Sequence, residues 1–282
     1  MEFTKMHGAG NDYVVIDGRD ADMDWSALAL STLERHVGIG GDGLLVLMNS
    51  AVADVRMRMF NPDGSEAEMC GNGIRCVAKY CFENEFPIAD KSSLNVETMD
   101  GVKTIEPIWK SGEVVQAIVN MGQPEFIPER IPVTLSDDMS PGPVLDFPIE
   151  IDGYTLELSF VSMGNPHAVA FIEMPVDEFP LDLIGPKVEN HTLFPNKVNF
   201  SIVNVLEKGS VKARVWERGA GETLACGTGA CAIAAVSSLH DYMDGDIDIA
   251  LRGGSIKITW NNHNAIYMEG PVKEVFRGEL PS

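Results

Sequence analysis

A chain of 282 residues with 45% hydrophobic and 22% charged residues has the make-up of a soluble globular protein, and its length lies between one large domain and two ordinary ones. A formal net charge of −21 at pH 7 spread along the sequence repels phosphate backbones and anionic lipid surfaces, so neither nucleic acid nor membrane is an expected partner. No segment approaches the roughly 20 apolar residues of a membrane-spanning helix. Met1 to Gly8 holds no apolar run of signal-peptide length, which makes the cytoplasm the expected location.

The first predicted element is an extended run, Tyr13 to Asp17, followed by a helix from Trp25 to Val37 in which Leu28, Leu33 and Val37 could share a face. Strands are expected at Leu44–Leu47 and at Val55–Phe60. The second of these alternates apolar and basic residues before the turn Asn61-Pro62-Asp63-Gly64. A largely buried helix is read from Ile74 to Phe82, and short strands fill most of 93–120. The Pro-rich stretch 124–148 reads as a linker or long excursion, with a domain boundary near 120. An extended Leu156 to Val161 then leads through Gly164-Asn165-Pro166-His167 to a strand from Ala168 to Ile172. An interrupted helix is expected near 177–189 and a strand from Val211 to Trp216. An Ala-rich helix covers about 229–240, and four extended segments follow. The expected domains are 1–120, joined by 270–282, and 121–269.

Superposed at a constant offset of 156 positions, Val55/Val211, Arg58/Arg214, Glu66/Glu222, Cys70/Cys226, Gly71/Gly227, Gly73/Gly229 and Ala78/Ala234 are identical, and Phe60 lies over Trp216. The echo implies two similar halves, each presenting one thiol in a Cys-Gly-x-Gly loop. A site at their junction, with a cysteine on either side, suits the inversion of a carbon centre: one thiolate removes a proton while the opposite thiol delivers one.

Removing the α-proton of an amino acid without a cofactor requires a base at the carbon and donors around the carboxylate that becomes enolate-like. Gly-x-Gly at a helix start supplies such donors, and the same field is expected to lower the pKa of a cysteine placed just before the helix, from about 8.5 toward neutrality. The two thiols would titrate as a coupled pair. Cys76, Cys81 and Cys231 lie in apolar helical runs and read as small buried hydrophobes. An odd count of five cysteines with no Cys-x-x-Cys pair and no companion His pair argues against a disulfide framework and a zinc site, so no metal is expected. Gly38-Ile39-Gly40-Gly41-Asp42-Gly43 matches Gly-x-Gly-x-x-Gly, but it follows a helix and opens a strand, the reverse of the dinucleotide-binding order. Taken singly, His167, the pair Glu217-Arg218, and Asn11, Asn61, Asn165 and Asn199 would be ordinary strand-end and turn residues.

Over nearly its whole length the chain resembles the diaminopimelate epimerase family. The resemblance is carried by Phe3 to Asp12, Asn61 to Ser65, Met69 to Gly73, Gly164 to His167 and Glu217 to Gly229. It implies an α/β (α+β) fold of two pseudo-symmetric domains, each a mixed or antiparallel β-sheet rolled around a central helix. It also implies a cofactor-independent isomerase that interconverts LL- and meso-2,6-diaminopimelate, in lysine and peptidoglycan precursor biosynthesis. Cys70 and Cys226 would then be the acid/base residues, while Gly71, Asn72, Gly227 and Thr228 bind the reacting carboxylate. His167 and Glu217 would assist at the reacting centre and hold the α-amino group. Asn11, Asn61, Asn165, Asn199 and Arg218 would bind substrate, the last four at its distal end. One position departs from some members: Gly43 stands where they carry a glutamine that contacts substrate. The expected partner is a small-molecule substrate, with a second copy in a homodimer left open. A racemase of proline, hydroxyproline or histidine is the alternative within the fold, and a thiol-redox switch the alternative outside it.

Overall fold

Val55–Phe60 and Val211–Trp216, the alternating segments of the sequence repeat, are both strands, and each pairs with a short antiparallel partner that carries the chain back toward a cysteine. A computed structural model describes all residues except 68, 85, 89, 136–141, 262–263 and 281–282. The chain divides into two units, Met1–Asn120 with Glu269–Ser282, and Met121–Met268. In chain order the elements up to Asn120 are β1 (Glu2–Gly8), β2 (Asn11–Asp17), α1 (Trp25–Thr32), β3 (Gly43–Met48), β4 (Val55–Phe60), β5 (Glu66–Ala67), α2 (Gly71–Glu83), β6 (Leu94–Thr98), β7 (Gly101–Lys110) and β8 (Glu113–Asn120). There follow β9 (Phe147–Ile151), β10 (Tyr154–Ser162), β11 (Pro166–Phe171), α3 (Leu181–Glu189), β12 (Asn199–Glu207), β13 (Ser210–Glu217), β14 (Gly221–Thr223), α4 (Gly227–Leu239), β15 (Asp246–Leu251), β16 (Gly254–Thr259), β17 (Tyr267–Pro271) and β18 (Lys273–Glu279).

In the first unit the strands run β18-β1-β2-β3-β4-β6-β7-β8, with β2/β3 and β4/β6 parallel and the other pairs antiparallel. The second unit repeats the scheme as β9-β10-β11-β12-β13-β15-β16, with β11/β12 and β13/β15 parallel. Parallel neighbours inside an otherwise antiparallel sheet need crossovers, and a helix supplies each one. The crossover from β4 to β6 carries α2, and that from β13 to β15 carries α4. Both helices have 13 residues, and each bound of α4 lies 156 positions after its counterpart in α2. The repeated Arg and Glu have the same use in both units. Arg58 Nε and Nη2 donate to Glu66 at 2.7 and 2.8 Å, and Arg214 makes the same bidentate pair with Glu222 at 2.8 Å twice. Each pair pins the short hairpin that ends at a cysteine.

Each central helix packs against several strands of its own sheet: α2 against β8, β1, β2 and β7, and α4 against β10, β16, β11 and β12. Covering by helices on both faces explains why β3 reads Leu44-Leu45-Val46-Leu47 without polar alternation. Leu44 and Val46 join Phe3, Val14, Ile16, Trp25 and Ala29 in the core under α1, whereas Leu45 meets the first turn of α2 at Gly73. The mixed α/β architecture of two pseudo-symmetric halves, each with a sheet around a central helix, is the one expected from the sequence.

Three segments differ from expectation. The first helix stops at Thr32 rather than Val37. The Thr32 carbonyl takes the N–H groups of Ile39 and Gly40, and the Glu34 carboxylate takes those of His36 and Val37, which turns the chain and leaves Val37 88% exposed. The strand β1 had no clear periodic signal because the polar Thr4 and Lys5 are buried along with Phe3 and Met6. The stretch 124–148 is more than a linker. Its residues 136–141 lie outside the described residues, but Ile131, Val133 and Val144 belong to the core of the second unit, and Glu125 bridges to Ser162. Among the described residues no helix is long and apolar enough to cross a membrane.

The approach of β1 to α2 depends on Gly8. A Cβ there would lie 2.8 Å from the Asn72 carbonyl oxygen and 3.2 Å from Arg75 Nη2. Gly8→Ala is therefore expected to destabilise the protein by about 1–3 kcal/mol in urea unfolding. Gly142→Ala, where a Cβ meets nothing within 4 Å, should change stability by less than about 0.5 kcal/mol. Equal stability of the two variants would contradict this account of the packing.

Candidate active site

In the first unit the candidate residues gather at the start of α2. Cys70 is its N-cap residue, in extended conformation (φ −136°, ψ 119°), which leaves the half-buried sulfur beside the first turn. The Tyr13 hydroxyl of β2 lies 3.0 Å from Cys70 Sγ. Asn72, 1% exposed, donates to Asn11 Oδ1 at 2.6 Å and accepts from Arg75 Nη2 at 2.9 Å. Asn11 in turn donates to Asp42 Oδ2 at 3.1 Å. Asp42 and Asp12 share the Arg35 guanidinium, and Asp12 also pairs with the buried Lys5 at 2.7 Å. Burial pushes the Asp12 carboxyl up, but the hydrogen bonds from Arg35 and Lys5 hold it at about 2. The structure thus brings Asn11, Gly71 and Asn72 together near Cys70. Asn61 is anchored separately, in the turn before β5, where its amide donates to Ser65 Oγ at 3.0 Å.

In the second unit Cys226 caps α4 and is only 4% exposed. Its sulfur accepts from Gly229 N–H at 3.3 Å and lies 3.5 Å from Thr228 Oγ1. Asn165 donates to Thr228 Oγ1 at 3.3 Å, and its amide oxygen is 2.9 Å from His167 Nε2. Glu217, at the end of β13, accepts from Thr223 and hydrogen-bonds Cys226. Asn199, paired with His167 in the β11/β12 register, donates to the Pro166 carbonyl at 2.9 Å. Its Oδ1 accepts from the Arg218 backbone N–H at the same distance. All seven candidate residues Asn165, His167, Asn199, Glu217, Arg218, Gly227 and Thr228 therefore connect to the environment of one thiol or to one another.

The two thiols do not share one electrostatic setting. A helix N-terminus was expected to lower both, yet burial, and then the Glu217 carboxylate, push the Cys226 thiol well above its ordinary range. The opposing bonds from Thr228 and Gly229 N–H are outweighed. Cys70 instead has a phenol at hydrogen-bond distance. Tyr13 itself is pushed well above 10, first by burial and then by negative charge at Cys70, so it stays protonated. Burial, and then the positive Arg218, push His167 down to about 3, so its imidazole is neutral, and its Nδ1 has no hydrogen-bond partner among the described residues. Cys76 and Cys231 are fully buried and Cys81 nearly so, as expected for packing residues. Burial raises Cys76 to about 12 and Cys81 further.

A family model for diaminopimelate epimerase matches residues 3–127 and 159–275. The chain belongs to the diaminopimelate epimerase family. The diaminopimelate epimerase of Methanococcus maripaludis is 48% identical to it over 99% of each chain, and that of Acetivibrio thermocellus 47% over 99% of this chain and 98% of the relative. Among solved structures, a Bacillus anthracis phenazine biosynthesis protein of the PhzF family superposes with a TM-score of 0.69 at 18% identity, covering 100% of this chain and 99% of its own. A probable proline racemase from Agrobacterium radiobacter does so with 0.68 at 14%, covering 99% and 92%. At those identities the two structures share the fold alone.

Sequence reasoning about this member of the diaminopimelate epimerase family missed Tyr13, Asp42 and Arg75. The offset of 156 sets Tyr13 over Val169, but the strand registers set it elsewhere. Tyr13 stands opposite Gly43, and His167 stands opposite Asn199, the residue 156 positions after Gly43. The signal was there in the pairing of repeats and was hidden by a difference of two residues in the loops between the paired strands.

A histidine held down at about 3 binds a proton in the unfolded chain below pH 6.5 while the folded protein does not, so stability present above that value is lost as pH falls toward 3. Between pH 6.5 and 5 the loss is about 2 kcal/mol. His167→Gln should remove it, so that urea unfolding at pH 7 and pH 5 separates the two proteins by that amount. A wild type and variant that weaken in parallel would show that His167 is not buried in the neutral form.

Proposed function

We propose that the protein interconverts LL- and meso-2,6-diaminopimelate by a two-base mechanism, with Cys70 and Cys226 as the acid/base pair. The observation that carries this is the placement of both cysteines as N-caps of equivalent buried helices, with opposite electrostatic partners. One sulfur must be ionised and the other protonated before each turnover. Glu217 and burial favour the protonated form at Cys226, and a phenol beside Cys70 favours the ionised one.

In the direction set by that resting state, the Cys70 thiolate takes the α-proton. The electrons of the broken C–H bond pass into the carboxylate, and the Cys226 thiol gives a proton to the opposite face of the same carbon. The product leaves Cys70 protonated and Cys226 ionised, which is the starting state for the reverse direction. First-turn N–H groups of a helix have no acceptors within the helix, so Gly71-Asn72 and Gly227-Thr228 present donors to the carboxylate as charge builds on it. Neutral His167, with a bare ring nitrogen, and the Glu217 carboxylate suit an α-ammonium. Arg218, Asn61, Asn165 and Asn199 suit the distal carboxylate and ammonium, with Asn11 completing the substrate contacts. The two similar halves are the two halves of the epimerase, and the cytoplasm is where such a substrate would be met.

In deuterated water, reduced protein with LL-diaminopimelate should give the meso isomer carrying deuterium at the inverted carbon. Cys70→Ala and Cys226→Ala should each lower turnover by roughly 10²–10⁴-fold, the range for removal of a general acid or base. Inversion that survives either substitution at the wild-type rate would sink the two-base reading.

A further inference from the structure

We propose that Tyr13 is a positioning residue for the reaction, its hydroxyl donating to the Cys70 sulfur and holding that thiol in the ionised form. This rests on the two-base reading of Cys70. The hydroxyl and sulfur are 3.0 Å apart, and Tyr13 is 1% exposed, so its side chain is shielded from water. A thiolate has no proton to give, and a phenol raised by burial keeps its own, which fixes the direction of donation.

Two further observations support it. In the paired registers Tyr13 occupies the place in its sheet that His167 occupies in the other, so each unit puts one buried polar ring at the same point. Gly43, opposite Tyr13, leaves room for the ring. A Cβ there would stand 3.3 Å from Tyr13 Cδ1 and from the Phe60 carbonyl oxygen, and 3.1 Å from the Met59 methyl. A longer side chain at position 43 would press on the tyrosine that meets Cys70. Among the described residues, Cys76 on α2 and Asp42 ahead of β3 face the pair, and both disfavour ionisation of Tyr13. Arg75 and Lys79 supply the nearby positive charge at Cys76.

The test is the rate of iodoacetamide alkylation at Cys70, resolved by peptide mass spectrometry across pH, in the reduced full-length wild type and in Tyr13→Phe. A hydrogen bond to a charged sulfur lost with the hydroxyl should shift the Cys70 profile up by about one pH unit. Alkylation would then be about tenfold slower at neutral pH and would converge with the wild type at high pH. Loss of packing would instead speed alkylation at every pH without moving the midpoint, and that result, or an unmoved profile, overturns the proposal. If Tyr13→Phe does not fold, 3-fluorotyrosine at position 13 keeps the ring and strengthens the donor, and the Cys70 profile should move down. Epimerisation followed in parallel separates the two readings. A shifted alkylation profile with slowed epimerisation supports the assignment, whereas a shifted profile with unchanged epimerisation leaves the hydrogen bond standing but takes Cys70, and with it Tyr13, out of the reaction.

Discussion

The structure turns on the burial of two helix starts. α2 and α4 are enclosed by their own sheets, and ten residues of each are buried. In such an interior an N–H group that finds no acceptor costs about 1–3 kcal/mol, and the partial positive charge of the helix end is little screened. Each sequence meets the constraint at the same positions. Gly73 and Gly229 let the first turn pass close to Leu45 and Val215 of the sheets, and a small polar side chain, Asn72 or Thr228, stands in that turn. A helix start that is buried, donor-rich and capped by sulfur is suited to hold a carboxylate beside a thiol. The remaining architecture serves to make it twice.

Having made it twice, the chain departs from symmetry where charge matters. Position 75 is a fully buried arginine, and its repeat, 231, is a cysteine. An unpaired buried guanidinium would be prohibitive, and here it is met by Asn72 Oδ1 and by the carbonyls of Gly71 and Pro271. Through Asn72 and Asn11 it connects to Asp42, Arg35, Asp12 and Lys5, so the first helix start sits in a chain of alternating charges that fixes its amides. Among the described residues the start of α4 shows no such chain. A carboxylate, Glu217, and a neutral imidazole take its place. A two-base enzyme needs its thiols in different states, and two identical sites would have to break their symmetry on each turnover. On the proposed two-base reading, unequal surroundings make one assignment of the proton the resting one.

The fold was legible wherever local pattern and burial agreed. Val55–Phe60 alternates because one face is buried, and the constant offset of 156 between Cys70 and Cys226 is a property of two crossover helices of equal length. Legibility failed where tertiary contacts decide. Nothing local says that Lys5 is buried, since its partner Asp12 lies across β1/β2 and its other acceptor, the Gly40 carbonyl, 35 residues away. The apolar spacing of Leu28, Leu33 and Val37 runs past Thr32, but the turn that follows claims its carbonyl with the amides of Ile39 and Gly40. The sign of the Cys226 shift escaped for the same reason. The helix end is visible in sequence, but the depth of burial that outweighs it is not.

Discrimination among amino acids follows from how the distal candidates are held. On the proposed reading, the exposed Arg218 is anchored at both its backbone and its side chain. Its backbone N–H is fixed by Asn199 Oδ1, its guanidinium donates to the Asn196 carbonyl at 3.1 Å, and Asn199 is itself tied to Pro166, one residue before His167. The anchor of Arg218, which follows β13, therefore runs through the start of β12 to the start of β11, the strand that carries His167. A substrate without a second carboxylate and ammonium, such as proline, would leave Arg218, Asn165 and Asn199 without those ligand contacts. Sites that hydrogen-bond a group reject analogues lacking it far more strongly than apolar pockets reject a missing methylene. Rigid coupling between the distal and reacting ends favours a two-ended amino acid over the racemase alternative that the shared fold leaves open.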